Sequence, residues 1–270
     1  MNSVMNASPE QDRVLPMAGI HNFRDYGGYA ARGGNLRRGV LWRSGQHCEA
    51  TCDDLAMVQQ VGIKTVIDLR GDSERASYPC LRHDEFNGEV LFHPGETTGA
   101  RGKAVHEQAA FNVQTAQDAH NAMLGIYSTL PFQSVLVGTF RLYMNALAER
   151  PGPSLLHCLA GKDRTGVGAA LVHKLLGVHH DDMIADYLLT NTAGDSEARI
   201  AAGAAHIRTG FGRTMDDAAV RVLMGVDAAF LDRSFSVIAE RHGSVEAYAR
   251  DVLGVTPQMV EAMEQLLVGG

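Results

Sequence analysis

The stretch Leu155-Leu156-His157-Cys158-Leu159-Ala160-Gly161-Lys162-Asp163-Arg164-Thr165-Gly166 admits few conformations. It opens apolar, as a buried strand end does. It then passes through one cysteine and a small-residue turn into a cluster of charge. Gly166-Val167-Gly168-Ala169-Ala170-Leu171-Val172 follows and reads as the start of a buried helix. A strand, a tight loop and a helix N-terminus in that order make an anion site, because loop amides converge and the helix dipole adds partial positive charge. A thiol at the centre of such a nest is expected to ionise readily. Arg164, six positions after Cys158, can fold back as a planar, bidentate ligand for phosphate oxygens. At the same offset Cys48, Cys52 and Cys80 have Asp54, Val58 and Phe86, so only Cys158 has the pairing.

These residue types suit hydrolysis of a phosphate ester. That reaction needs an in-line nucleophile, a cradle for three equatorial oxygens and an acid for the leaving group. Cys158 is expected as the nucleophile, forming a phosphocysteine intermediate. Leu159, Ala160, Gly161, Lys162, Asp163 and Arg164 are expected to bind the phosphate, with Lys162 adding charge at the rim. Thr165 is positioned to donate its hydroxyl to the sulfur, and His157 to orient the loop. A carboxylate inside an anion nest is unfavourable without a task. Asp163 therefore reads either as the proton donor that later activates water, or as a surface residue paired with Lys162 or a nearby arginine.

The 270 residues are 45% hydrophobic and 20% charged, as in a globular protein with a real core. A net charge of −7 argues against a general nucleic-acid binder. Residues 1–13 are polar, lack the apolar centre of a signal peptide and are expected to be a disordered tail, followed by one domain over 14–270. No apolar run approaches the ~20 residues of a membrane span. The four cysteines fit neither a zinc pattern nor a dense disulfide framework, which suits a reducing, cytoplasmic setting, with leaderless secretion as the other route. No metal and no cofactor are expected.

The glycine pairs Gly27-Gly28 and Gly33-Gly34, with a short strand over 39–44, predict an N-terminal hairpin or sheet edge, in which Arg24 and Asp25 are structural. A capped helix over 51–61 and a core strand over 64–70 make an α/β unit. Asp68 and Arg70 end that strand, where ligands bind in open parallel sheets, or they close a salt bridge with Glu74 or Arg75. Residues 94–112 look irregular, with Arg101 and Lys103 close together, and 115–127 are weakly amphipathic. Together they make a surface loop with a helix, or a lid. A helix over 131–150 carries a stripe of Leu136, Phe140, Tyr143 and Leu147. Asp181 and Asp182 are expected to cap a later helix, 193–213 to form mobile helices, and 220–267 to be packed helices.

The loop resembles the His-Cys, five residues, Arg-Thr-Gly motif of the protein tyrosine phosphatase superfamily. The rest resembles its atypical bacterial and fungal tyrosine/serine branch, through Asn22-Phe23-Arg24-Asp25-x-Gly27-Gly28, Arg43-Ser44, and Asp68-Leu69-Arg70 with Glu74. Asp186-Tyr187-Leu188-Leu189-Thr190-Asn191 and Gly243-Ser244 are also similar, so the likeness spans about residues 14–267. It implies an α/β fold with a central, mostly parallel sheet flanked by helices, a helical lid over about 94–130, and C-terminal helices. It implies metal-free hydrolysis of phosphotyrosine, with phosphoserine/threonine and phosphoinositides as further substrates, so a phosphorylated protein or phosphoinositide is the expected partner. The only tryptophan, Trp42, precedes Arg43, so the mobile Trp-Pro-Asp acid loop of ordinary members is missing. The resemblance therefore points to Asp163 as the acid, with Asp68 as second candidate. Two other readings are a rhodanese-like sulfurtransferase, against which Arg164-Thr165-Gly166 argues, and a catalytically silent phosphate-binding pseudophosphatase, against which the intact Cys158, Arg164 and Thr165 argue.

Overall fold

The computed structural model describes residues 11–97, 113–195 and 216–270, with 197, 198, 200, 201 and 203–205 between the last two. Strand β1 (Arg24–Asp25) pairs antiparallel with β4 (Leu41–Ser44), and between them β2 (Ala30–Ala31) and β3 (Gly34–Leu36) form a separate ribbon. Helix α1 (Cys52–Val61) leads to β5 (Thr65–Asp68), and α2 (Asp72–Ser77) to β6 (Glu89–Leu91). Helices α3 (Ala116–Tyr127) and α4 (Ser134–Glu149) precede β7 (Ser154–His157). Then come α5 (Asp163–Leu175), α6 (His180–Leu188), α7 (Asp217–Met224), α8 (Ala228–His242), α9 (Val245–Asp251) and α10 (Pro257–Leu267). The last strand, β8 (Val268–Gly269), joins the ribbon beside β3.

The main sheet has the order β1-β4-β7-β5-β6, parallel except at β1. Alternation along each strand divides the core in two. Leu41, Ile67 and Leu156 enter the larger cluster with Phe140, Tyr143 and Leu171. Trp42, Val66 and Leu155 enter the smaller one, against which Leu55, Val58 and Val61 of α1 pack. Thr51 and Asp54 form a capping box at the start of α1, and Gly62 ends it at φ 72°. The Asp54 carboxylate also accepts from the amides of Ala18 and Gly19 at 2.8 Å, tying the N-terminal segment to α1.

Three sequence expectations change. The N-terminal hairpin falls at β2–β3 and the sheet edge at β1, but β4, the strand expected over 39–44, lies one place in, between β1 and β7, because its parallel register with β7 joins residues more than a hundred positions apart. Residue 13, expected as the last of a disordered tail, is part of the fold. Arg13 is buried, donates to the Gly27 carbonyl and sits 4.0 Å from the Tyr29 ring centre. The cap of α6 is His179, whose Nδ1 accepts from the Asp181 amide at 3.3 Å, while both aspartates follow in the first turn. The expected helix over 131–150 begins as a 3₁₀ turn at Leu130–Phe132, and its predicted stripe is buried. Residues 98–112 of the expected lid, including Arg101 and Lys103, and most of 193–213 lie outside the described residues. No single described helix is long and apolar enough to cross a membrane.

Gly168 lets α5 approach the sheet closely, since a Cβ there would stand 3.0 Å from Leu156 Cδ2 and from Phe140 Cε1. Gly168→Val is expected to cost about 1–3 kcal/mol in urea unfolding through overpacking. Adding Phe140→Leu should recover part of that cost; full additivity of the two losses would contradict the close-approach account.

Candidate active site

Cys158 follows the last residue of β7, buried, at the start of the loop that enters α5. Gly161 turns the loop at φ 69° and lies against the end of β4, where a Cβ would come within 2.4 Å of the Ser44 carbonyl carbon. Both the positive φ and this approach require glycine. The loop is held by its carbonyls from outside. Gly161 O accepts from Asn22 Nδ2 at 2.7 Å and Arg43 Nη2 at 3.2 Å, and Leu159 O accepts from the Gln46 amide at 2.9 Å. None of the amides of residues 159–165 donates to a described residue, whereas the Gly166 amide already bonds Lys162 O at 2.8 Å. A row of unpaired amides at a helix N-terminus is the physical basis of an anion cradle.

Arg164 is fixed by Glu74, which the sequence offered only as a salt-bridge partner for the Asp68–Arg70 strand end. Its Nη1 and Nη2 donate to the two Glu74 oxygens at 2.6 and 2.8 Å, and Nη1 also reaches Thr97 Oγ1 at 2.8 Å and Leu69 O at 3.3 Å. This end-on fork leaves the Nε edge of the guanidinium without a described acceptor, in the geometry that takes a phosphate side-on. Burial alone would raise the Glu74 carboxyl; Arg164 and the bonds from Gly71 and Thr97 override it and hold it at about 2.

Asp68 and Arg70 form the salt bridge rather than a free pair, and the partner is neither Glu74 nor Arg75. Arg70 Nε and Nη2 reach the two Asp68 oxygens at 2.9 and 2.8 Å. Burial pushes the Asp68 carboxyl up, but His157 beside it, at 3.7 Å, and Arg70 pull it far below the usual carboxylate range. A group so held stays an anion, which disfavours it as a proton donor. The His157 ring is buried, with Nδ1 3.3 Å from its neighbour Cys158 O and its ring centre 5.8 Å from that of His47.

Lys162 departs most from expectation. It is not at a rim but buried, and its ammonium meets Leu223 O at 2.6 Å, Gly225 O at 3.1 Å and Asp163 Oδ1 at 3.2 Å. The carbonyls end α7, where the helix dipole favours a cation. Asp163 is buried too, not a surface residue, and accepts at 2.8 Å from the hydroxyl of Tyr127, the last residue of α3. Thr165 Oγ1 is buried without a described hydrogen-bond partner. An unpaired buried hydroxyl costs about 1–3 kcal/mol, so its retention fits a function.

Behind the loop lies a charge cluster of which sequence reasoning gave only Arg24 a structural role, with Arg43 and Asp186 named as parts of familial strings. Asp186 on α6 meets Arg43 Nη1 at 2.7 Å and Arg24 Nε at 3.3 Å, and Arg24 Nη2 also reaches Asp186 O at 2.8 Å. Burial raises the Asp186 carboxyl, and the two guanidiniums return it to about 2. Asp25 is structural as expected, accepting from Arg38 Nε at 2.8 Å and from the Gly39 amide at 2.7 Å.

A sequence model of the tyrosine phosphatase family matches residues 15–269. The chain belongs to that family. This phosphatase is 32% identical over 254 residues to a Cupriavidus necator protein whose name marks it as a candidate tyrosine-protein phosphatase, covering 92% of this chain and 87% of that one. It is 28% identical over 285 residues to the triple specificity protein phosphatase PtpB of Mycobacterium tuberculosis, covering 95% and 99%. A tyrosine-protein phosphatase of Nostoc commune is 28% identical over 227 residues, covering 82% of this chain and 70% of the relative.

Glu74→Gln should lower kcat/KM by about 10²-fold, because the Arg164 fork loses its charged anchor and its alignment. The same variant has a stability test. The Glu74 carboxyl falls from its ordinary 4.5 to about 2 on folding, so its contribution is present above pH 4.5 and lost as pH falls toward 2. Acid unfolding of Glu74→Gln should show a shallower slope in that window than the parent; an unchanged slope would remove Glu74 from the account.

Proposed function

We propose that the chain hydrolyses phosphate monoesters through a phosphocysteine on Cys158. The observation that carries this reading is the row of amides from 159 to 165 that have no acceptor among the described residues, beside a guanidinium oriented by Glu74 with its Nε edge likewise without a described acceptor. Cys158 Sγ, as thiolate, attacks phosphorus in line while the bond to the leaving oxygen breaks. Residues Leu159, Ala160, Gly161, Lys162, Asp163 and Arg164 hold the equatorial oxygens, through backbone amides and the Arg164 side chain. The buried Lys162 ammonium is a support of the loop rather than a direct ligand in this arrangement. Asp163 gives its proton to the leaving oxygen. It then takes a proton from the water that attacks the phosphocysteine, the P–S bond breaks, and Thr165 Oγ1 donates to the departing thiolate. Asp68, tied to Arg70 as an anion, supports the loop through His157.

Phosphotyrosine is the proposed principal substrate, and family membership supports it. Phosphoserine, phosphothreonine and phosphoinositides are proposed as further substrates, supported by the printed triple specificity of the M. tuberculosis relative. A panel of these phosphoesters, read by phosphate release, tests the range. Family membership favours this reading over sulfur transfer, and the intact Cys158, Arg164 and Thr165 favour it over a silent binding module.

Cys158→Ser should abolish turnover of p-nitrophenyl phosphate while phosphate still binds; retained turnover refutes the nucleophile assignment. Asp163→Asn should lose about 10²–10⁴-fold in kcat on phenyl phosphate, a poor leaving group, and much less on p-nitrophenyl phosphate. Asp68→Asn should affect both esters alike, and the reverse pattern would exchange the two aspartates.

A further inference from the structure

Two contacts on Asp163 fall on the same oxygen. Oδ1 accepts from the Tyr127 hydroxyl at 2.8 Å and lies 3.2 Å from Lys162 Nζ, while Oδ2 has no partner among the described residues. The Tyr127 hydroxyl also meets the Tyr187 hydroxyl at 2.6 Å. A phenol carries one proton. Because that of Tyr127 is directed to Asp163, Tyr187 must be the donor in the second bond. Proton counting therefore fixes the order Tyr187 to Tyr127 to Asp163. The direction is stable around neutrality, since burial first, and the neighbouring Asp163 charge second, raise both phenols well above 10.

The relay is built into the packing. All three residues are buried. Gly166, in the first turn of α5, makes room for Tyr187: a Cβ there would stand 2.7 Å from the Tyr187 ring. Tyr127 is held in turn by α8, through Ser234 Oγ donating to its carbonyl at 2.7 Å and Phe230 at 5.6 Å between ring centres. Phenylalanine at 127 and 187 would fill the same space without burying hydroxyls, so packing alone does not call for two phenols. Among the described residues, the other charged groups facing this cluster are Lys162, Arg164 and Arg43, with Asp227 beyond Tyr187.

We propose that Tyr127 is a positioning residue for proton transfer, with Tyr187 behind it and Lys162 beside it. This rests on the reading of Asp163 as the acid. Saturating Oδ1 leaves Oδ2 as the oxygen that carries the proton to the leaving group and later takes one from water. No net proton passes along the tyrosines; they fix the carboxyl's rotation and its working edge. The pairing also gives Gly166 of the Thr-Gly motif a physical role, since the relay needs the space a side chain there would fill.

The test compares Tyr127→Phe, Tyr187→Phe and Asp163→Asn on phenyl phosphate and p-nitrophenyl phosphate, with thermal melts as a folding control. Tyr127→Phe should lose about 10-fold or more in kcat on phenyl phosphate and under about 3-fold on p-nitrophenyl phosphate, with KM for both little changed. Tyr187→Phe should show the same selectivity at smaller size, and it carries the test if Tyr127→Phe melts early. Tyr127→Phe added to Asp163→Asn should cost nothing more on phenyl phosphate. Equal losses on the two esters in the tyrosine variants, with Asp163→Asn still selective, would overturn the positioning role alone. A non-selective Asp163→Asn would overturn both the acid assignment and this inference.

Discussion

Asp186 is one carboxylate facing two fully buried guanidiniums, Arg24 and Arg43. Two charges of the same sign do not share an apolar interior without a counter-charge between them. Removing one partner from such a cluster typically costs about 3–5 kcal/mol, because an uncompensated charge stays buried. The cluster joins β1, β4 and α6, and its spare donors end on the phosphate loop: Arg43 reaches Gly161 O at 3.2 Å, beside Asn22 Nδ2 at 2.7 Å. The loop's outward carbonyls are thus matched to buried donors, and its amides are left for an anion. Much of the chemistry at Cys158 follows from where these four polar side chains are held.

A second charge system on the other side of the loop works by the same logic with different consequences. Glu74 orients Arg164, and Asp68 orients Arg70 and neighbours His157. Each arginine meets a carboxylate two-pronged, so each carboxylate is committed. That separates the aspartates physically: Asp68 is locked as an anion, whereas Asp163 keeps an oxygen without a described partner.

How much of this the sequence discloses depends on range. The strand, the turn at Gly161 and the helix after it are local, and the run from Leu155 to Val172 reveals them directly, although the helix starts at Asp163, three residues before the expected Gly166. The buried stripe of α4 is likewise a matter of periodicity. Lys162 could not be placed that way, since its partners Leu223 and Gly225 lie some sixty residues away and a lysine beside an anion nest reads as rim charge. Arg24 looked local, and Arg43 was visible only as part of a familial string, for the same reason: nothing near them in the chain announces Asp186. The Asp186-Tyr187 pair was visible as a familial string, yet only the fold shows that one residue serves the arginines and the other the tyrosine relay. The parallel register of β4 with β7 turned a supposed edge into an interior strand.

The nucleophile stands at the end of the strand that occupies the middle of the sheet, and this bears on the order in which the molecule is made. In β7, Ser154 is paired with Leu41 on one side and Thr65 on the other, so its neighbours are synthesised long before it. Contacts of such sequence separation form slowly, because a long loop must close before any of them is gained. Up to that moment β4 and β5 each lack a neighbour, and no cradle surrounds a thiol. A chain released from the ribosome short of α5 therefore carries no competent centre. The groups that hold the loop from behind, Asp186 on α6 and the carbonyls of Leu223 and Gly225 at the end of α7, are made later still, so the centre is complete only once the chain beyond α5 has packed against it.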